Sequence, residues 1–229
     1  MLSFFDFKNL TKQKVLVIMI LFILYFFMNK KKKSDIIYKN NREIILWTIP
    51  VIFSAPHAAP QTREWERKPC DEFTWEIVRQ LCEKTWAYGI VRIENCDDDP
   101  NFYNDWLSWE FKEETIRLIK KNWIKYWFDI HGCKDDLWFS IDIGTNYWEN
   151  INQNLDFLVN VQKNLSNNFG RVAVDEIFDA GKSEIVSTYI SKHVNCPYIQ
   201  LELCRALREN TEYLVKILSR TVWDSLHLF

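Results

Sequence analysis

Two histidines stand where a metal could be held. His57 closes Ser54-Ala-Pro-His57 and His131 closes Asp129-Ile-His131, each just after a short apolar run of strand character. Sheets built from strand and helix units bind ligands beyond the carboxyl ends of their strands. Two imidazoles there plus one carboxylate make a three-ligand zinc site with a fourth position open to water. The carboxylate candidates after His57 are Glu64, Glu66, Asp71 and Glu72. Asp71 is preferred, because it begins an expected helix whose first turn fixes its direction. Asp129, two residues before His131, shares its strand face and is placed to accept from the other ring nitrogen.

Hydrolytic chemistry at such a site also needs a carboxylate to take a proton from water, whose pKa a zinc ion brings to about 7. Glu202 in Gln200-Leu-Glu202-Leu-Cys-Arg205 ends a later apolar run and is the candidate. Arg205 and Arg208, three residues apart on one helical face, are candidates for holding a substrate carboxylate by paired hydrogen bonds. Arg63 and Arg92 are candidates for an anion or a developing oxyanion. Plainer readings exist for each: a lone histidine is commonly a hydrogen-bonded structural residue, and an acid or arginine a solvated surface charge. Asp97, Asp98 and Asp99 read as a solvated turn cap, and His193 and His227 as structural.

These residues need elements to position them. Glu43 to Phe53 reads as one buried strand weakened by Pro50, which cannot donate to a ladder. Residues 71–87 carry apolar positions at helical spacing, with Gly89 as the stop. Strands are expected at 90–93, 126–130, 139–143 and 198–201, and helices at 111–123, 151–165, 182–193 and 207–226. Alternation of the two types implies a three-layer α/β/α arrangement around a mostly parallel or mixed sheet.

Composition narrows the function classes. Of 229 residues, 48% are apolar and 26% charged, which excludes a disordered chain and a polytopic membrane protein. The first 34 residues hold seven Lys and one Asp, so the remainder carries 22 Lys and Arg against 30 Asp and Glu. That acidic balance argues against nucleic acid as a partner. Residues 15–28, VLVIMILFILYFFM, are apolar apart from one tyrosine hydroxyl and flanked by lysines. They span about 21 Å as a helix and read as a single transmembrane anchor whose lysines reach the interface. The implied organisation is a flank at 1–14, the anchor in the lipid bilayer at 15–28, a basic linker at 29–42 and a domain at 43–229. The excess of positive charge after residue 28 places that domain in the cytosol. Six cysteines without Cys-x-x-Cys spacing read as reduced core residues.

Taken in order, Ser54-Ala-Pro-His57 with Arg63, Lys68-Pro-Cys-Asp71, Asp99-Pro-Asn101-Phe-Tyr103, Asp129-Ile-His-Gly132, Ser140-Ile-Asp-Ile-Gly-Thr145 and Gln200-Leu-Glu202 with Arg205 and Arg208 resemble the motifs of N-formylglutamate amidohydrolases over residues 44–210. The resemblance implies a phosphorylase/hydrolase-like fold and hydrolysis of an amide next to a carboxylate. His57, Asp71 and His131 would be the zinc ligands and Glu202 the general base. Two departures stand out: Ala58-Ala59-Pro60 follows His57, and no Asp-x-Asn-Arg segment matches clearly. The expected function is a zinc-dependent amidohydrolase acting on an N-acyl amino acid or small peptide. The alternatives are a carboxypeptidase- or aspartoacylase-like hydrolase, or a degenerate hydrolase kept as a binding module.

Overall fold

The apolar runs pair into one sheet in a computed structural model that describes residues 34–94, 97–102, 109–182 and 185–226. The strands are β1 (Asp35–Lys39), β2 (Arg42–Leu46), β3 (Ile49–Ala55), β4 (Gln61–Arg63), β5 (Glu66–Lys68), β6 (Ala87–Arg92), β7 (Tyr126–Cys133), β8 (Ile141–Gly144), β9 (Val172–Val174) and β10 (Tyr198–Cys204). Eight of them form a mixed sheet in the order β1-β2-β6-β3-β7-β10-β8-β9, and β4 and β5 make a separate hairpin. The central four, β6, β3, β7 and β10, are mutually parallel; β2 and β8 flank them antiparallel.

Helices are α1 (Thr74–Thr85), α2 (Trp109–Asn122), α3 (Leu155–Phe169), α4 (Val186–Ser191), α5 (Arg205–Glu209) and α6 (Thr211–Leu226). Their apolar stripes sort them onto the two faces of the sheet. Ile77, Leu81, Val161, Leu165, Leu214 and Leu218 of α1, α3 and α6 pack with Val51, Phe53, Phe128 and Leu201. On the other face Phe111, Ile119, Val186 and Ile190 of α2 and α4 pack with Ile52, Trp127 and Tyr198. Alternate residues of β3 therefore enter different cores, as the period of two along a strand requires.

The run from Glu43 to Phe53 is two strands, not one. Trp47 and Thr48 break it, and Trp86 O accepts from the N–H groups of Thr48 and Ile49. Around Pro50 the register of β3 against β6 shifts between Ile49 and Ile52, the irregularity expected where a ladder lacks a donor. Gly89 does not stop α1. The helix ends at Trp86, which takes a left-handed conformation with φ 58°, and Gly89 lies within β6. A Cβ there would come 2.7 Å from Cys82 Sγ, so the glycine lets helix and sheet approach. The expected final helix divides at Asn210 into α5 and α6. Residues 35–39, read from sequence as linker, form β1, and the compact unit starts at Ser34.

The fold expected from sequence included a preceding transmembrane helix and hence a single-pass membrane localisation. Both are corrected: among the described residues no helix is long and apolar enough to cross a membrane. Residues 15–28 lie outside the described residues, and their fourteen-residue apolar stretch is shorter than the roughly 20 residues that a span needs. Cys82, Cys133, Cys196 and Cys204 are buried free thiols and Cys70 is partly buried.

Candidate metal centre

The parallel strands β3, β7 and β10 deliver their groups to one rim. His57 follows β3 by two residues, His131 lies in β7, and Glu202 in β10 pairs in register with His131. Asp71 enters from the connection between β5 and α1. Its backbone N–H donates to His57 O at 2.8 Å, and Thr74 Oγ1 donates to its carbonyl at 2.7 Å. Asp71 thus sits three residues ahead of α1 rather than in its first turn, and that local turn aims its carboxylate.

Three donor atoms converge. His57 Nδ1 and His131 Nδ1 are 3.2 Å apart, and Asp71 Oδ2 is 3.5 Å from the first and 3.6 Å from the second. A tetrahedral zinc with bonds of about 2.0–2.1 Å has ligand separations of about 3.3 Å, so the donor set fits that ion. Among the described residues this is the group of His, Cys, Asp and Glu side chains that could hold a metal. Glu64 and Glu66, at the turn of the β4–β5 hairpin, and Glu72 are not in it.

Each imidazole is fixed from behind by a buried carboxylate. His57 Nε2 lies 2.9 Å from Asp99 Oδ1, and His131 Nε2 lies 3.0 Å from Asp129 Oδ2. With the Nε2 protons given to carboxylates, both Nδ1 lone pairs face the common point. Asp129 is held in turn by Ser54 Oγ, which donates to Oδ1, and by Tyr198 OH, which donates to Oδ2 at 3.2 Å. Trp127 Nε1 completes the chain by donating to Ser54 Oγ at 2.6 Å.

Asp98 and Asp99 are fully buried, not a solvated cap. Arg63 donates to Asp99 Oδ2 through Nε at 2.8 Å and Nη2 at 2.6 Å, and Asn101 N donates to Oδ1 at 2.8 Å. Asn101 Nδ2 also lies 3.4 Å from His131 Nε2. Asp99 therefore orients the His57 imidazole, and Asn101 steadies Asp99 through its backbone N–H. The signal was present in the aspartate run. Consecutive acids look solvated unless the arginines that bury them, Arg63 and Arg92, are known to be adjacent.

The charges respond to this crowding. Burial pulls the His57 pKa down, but the Asp99 charge and hydrogen bonds with Asp71 and Asp99 overcome it and raise it to about 9. His131 is likewise raised, with burial opposed by Asp129 and Asp71. Asp71 is held well below the usual carboxylate range: burial would raise it, and hydrogen bonds from His131 and His57 outweigh that. Glu202 goes the other way, pushed up to about 7 chiefly by burial, with the positive charge of His131 opposing. One of its oxygens accepts from Gln200 Nε2 at 2.8 Å.

The arginines divide. Arg63 is about one-third exposed, lies on Asp99 and stands 5.6 Å over the Phe102 ring. Arg205 is exposed at the rim, 2.9 Å from Glu72 Oε2 and 2.9 Å from Glu209 Oε1. Arg92 is buried with its terminal nitrogens on Asp98 and its Nε on Glu94 O, so its guanidinium faces protein rather than an incoming anion. Arg208 is also buried and gives its donors to backbone carbonyls. His193 Nδ1 lies 2.8 Å from Tyr189 O, a structural contact, and His227 lies outside the described residues.

The molecule's relatives become visible in this geometry. No family model and no curated sequence matches the chain. Solved structures do. The chain shares its fold with amidohydrolases and zinc peptidases. A bacteriophage poly-gamma-glutamate hydrolase superposes with a TM-score of 0.57 at 14% identity, covering 82% of this chain and 90% of the other. A metallo-carboxypeptidase from Burkholderia cenocepacia gives 0.60 at 9% identity, with 96% and 70% covered. An N-formylglutamate amidohydrolase from Ralstonia eutropha gives 0.52 at 10% identity, with 82% and 98% covered. The resemblance read from the motifs thus extends to the fold.

Proposed function

We propose that the chain is a zinc-dependent hydrolase that cleaves the amide bond of an N-acyl amino acid or a small peptide. The observation that supports it is the convergence of His57 Nδ1, His131 Nδ1 and Asp71 Oδ2 beside a buried carboxylic acid on the adjoining strand. Zinc held by these three atoms would supply a Lewis acid that acidifies water and polarises a carbonyl.

The chain's own residues do the rest. Asp99 and Asp129 hold both imidazoles in the tautomer that leaves Nδ1 free to ligate. Glu202, with one oxygen held by Gln200, takes the proton of the attacking water and returns it to the departing amine. Its pKa near 7 suits both halves of that transfer at neutral pH. Arg63, steadied on Asp99 above Phe102, is placed for the developing oxyanion, and Arg205 at the rim for a substrate carboxylate. The fold shared with the three neighbours above, each named as a hydrolase or carboxypeptidase, supports the same reaction class.

The test combines metal analysis with turnover of a panel of N-acyl amino acids and short peptides. Wild type should carry one zinc and His131→Ala none. Glu202→Gln should keep its zinc and lose about 10²- to 10⁴-fold in kcat. Equal zinc content in wild type and His131→Ala would end the metal assignment, and undiminished turnover in Glu202→Gln would remove that residue from the mechanism.

A further inference from the structure

Arg208 was expected at the substrate, yet it is buried and its guanidinium is spent on backbone carbonyls. Nε donates to Leu203 O at 3.1 Å, Nη2 to Cys133 O at 3.3 Å, and Nη1 to Glu72 O. Those acceptors belong to three separate segments. Leu203 directly follows Glu202, Glu72 directly follows Asp71, and Cys133 stands two residues after His131. One planar fork therefore ties down the chain just beyond the proton acceptor and two of the three metal-ligating groups.

Gly132 makes that tie possible. A Cβ on it would lie 2.6 Å from Arg208 Cζ, 2.8 Å from Nη2 and 2.9 Å from Nε. Only a residue without a side chain lets the guanidinium lie flat against β7 at that point. The N–H of the same glycine donates to Asp71 Oδ2 at 3.0 Å, the oxygen that faces both imidazoles. Strand, glycine, carboxylate and guanidinium form a single interlocked unit.

We propose that Arg208, seated on Gly132, is the positioning residue that sets the mutual distances of Asp71, His131 and Glu202. The proposal rests on the metal reading above and adds a residue outside the ligand set. Lysine cannot replace the function, because a single ammonium cannot reach three carbonyls on three elements at once. The expected effect is on the quality of the site. Residues that orient ligands in this way typically change metal affinity about 10- to 100-fold when removed.

The experiment uses the full chain with Arg208→Lys, Arg208→Ala and Gly132→Ala. Zinc affinity is read by competition with a chelator, and ligand geometry by the visible absorption of cobalt(II) in place of zinc. Thermal stability of the metal-free proteins is measured in parallel, with Val161→Ala in α3 as a destabilised control remote from the rim. Weaker zinc binding, about 10- to 100-fold, with an altered cobalt spectrum in Arg208→Lys supports the proposal, as does partial recovery of Arg208→Ala by added guanidinium ion. Zinc affinity within twofold of wild type and an unchanged spectrum overturn it, as does a loss no larger than that of Val161→Ala at equal destabilisation. If Arg208→Ala does not fold, Gly132→Ala decides, since it displaces the guanidinium without deleting it. A wild type that binds no zinc overturns the metal reading itself, and with it this proposal, before any variant is compared.

Discussion

Asp99→Asn is the sharpest perturbation of the site, because it keeps size and removes charge from a fully buried group. The carboxylate receives His57 Nε2, Arg63 Nε and Nη2, and Asn101 N. An amide presents one acceptor oxygen to those donors and turns its NH2 toward the rest, so at least one donor is lost. His57 loses the charge that raises its pKa most, so its pKa falls from about 9, with burial pulling it down against the hydrogen bond with Asp71 that remains. At about 1.4 kcal/mol for each tenfold change in proton affinity, the gap between 6.5 and about 9 corresponds to about 3 kcal/mol of metal-free stability.

The sign follows from the raised value. The folded protein holds the His57 proton more tightly than the unfolded chain, so the contribution is complete below pH 6.5 and fades as pH rises through about 9. Asp99→Asn should therefore lower the melting temperature by about 6–12 °C at pH 6, at roughly 2–4 °C per kcal/mol for a domain of this size. The deficit should shrink by pH 10, leaving the share owed to Arg63. Thermal unfolding followed by circular dichroism in the presence of a chelator measures both. A deficit that is the same at pH 6 and pH 10, or under 2 °C throughout, would refute the argument.

Two further outcomes follow from the same network. His57 holds its proton up to about pH 9 in the metal-free protein, so zinc uptake at pH 7 should release about one proton and tighten as pH rises toward 9; calorimetry in buffers of different ionisation enthalpy would show no such release if the pair with Asp99 is not formed. Ser54→Ala strips a bridging hydroxyl from between Trp127 Nε1 and Asp129, and should cost about 1–3 kcal/mol in denaturant unfolding; an unchanged midpoint would mean that the bridge contributes nothing.

Much of this was legible in the sequence, for identifiable reasons. Apolar runs of four to seven residues alternating with helical stripes gave the mixed α/β architecture, and strand-end histidines gave the rim. Asp129 was readable because strand periodicity alone puts residues 129 and 131 on one face. What escaped depended on partners distant in sequence. Asp99 looked solvated until Arg63 and His57, 36 and 42 residues away, closed over it. Arg92 and Arg208 looked available as cations because sequence does not show which carbonyls and carboxylates will surround a guanidinium. β4, β5 and β9 have three residues each, too short for any periodic signal. The membrane reading rested on an apolar run outside the described residues, and among those described no helix is long and apolar enough to cross a membrane.

One strand's polarity settles where the molecule can vary. β8 runs opposite to β10, so the segment leading into it arrives beside the business end of the sheet, where Cys204 N meets Ser140 O and Ala206 N meets Asp135 Oδ1. Its exit, at Asn146-Tyr147-Trp148, emerges at the opposite pole. Length changes in 134–140 would fall at the pole of the sheet that carries the candidate metal centre, while a graft at 146–148 would hang clear of it. One loop thus shares a pole with the candidate metal centre, and the other offers a place for attaching cargo away from it.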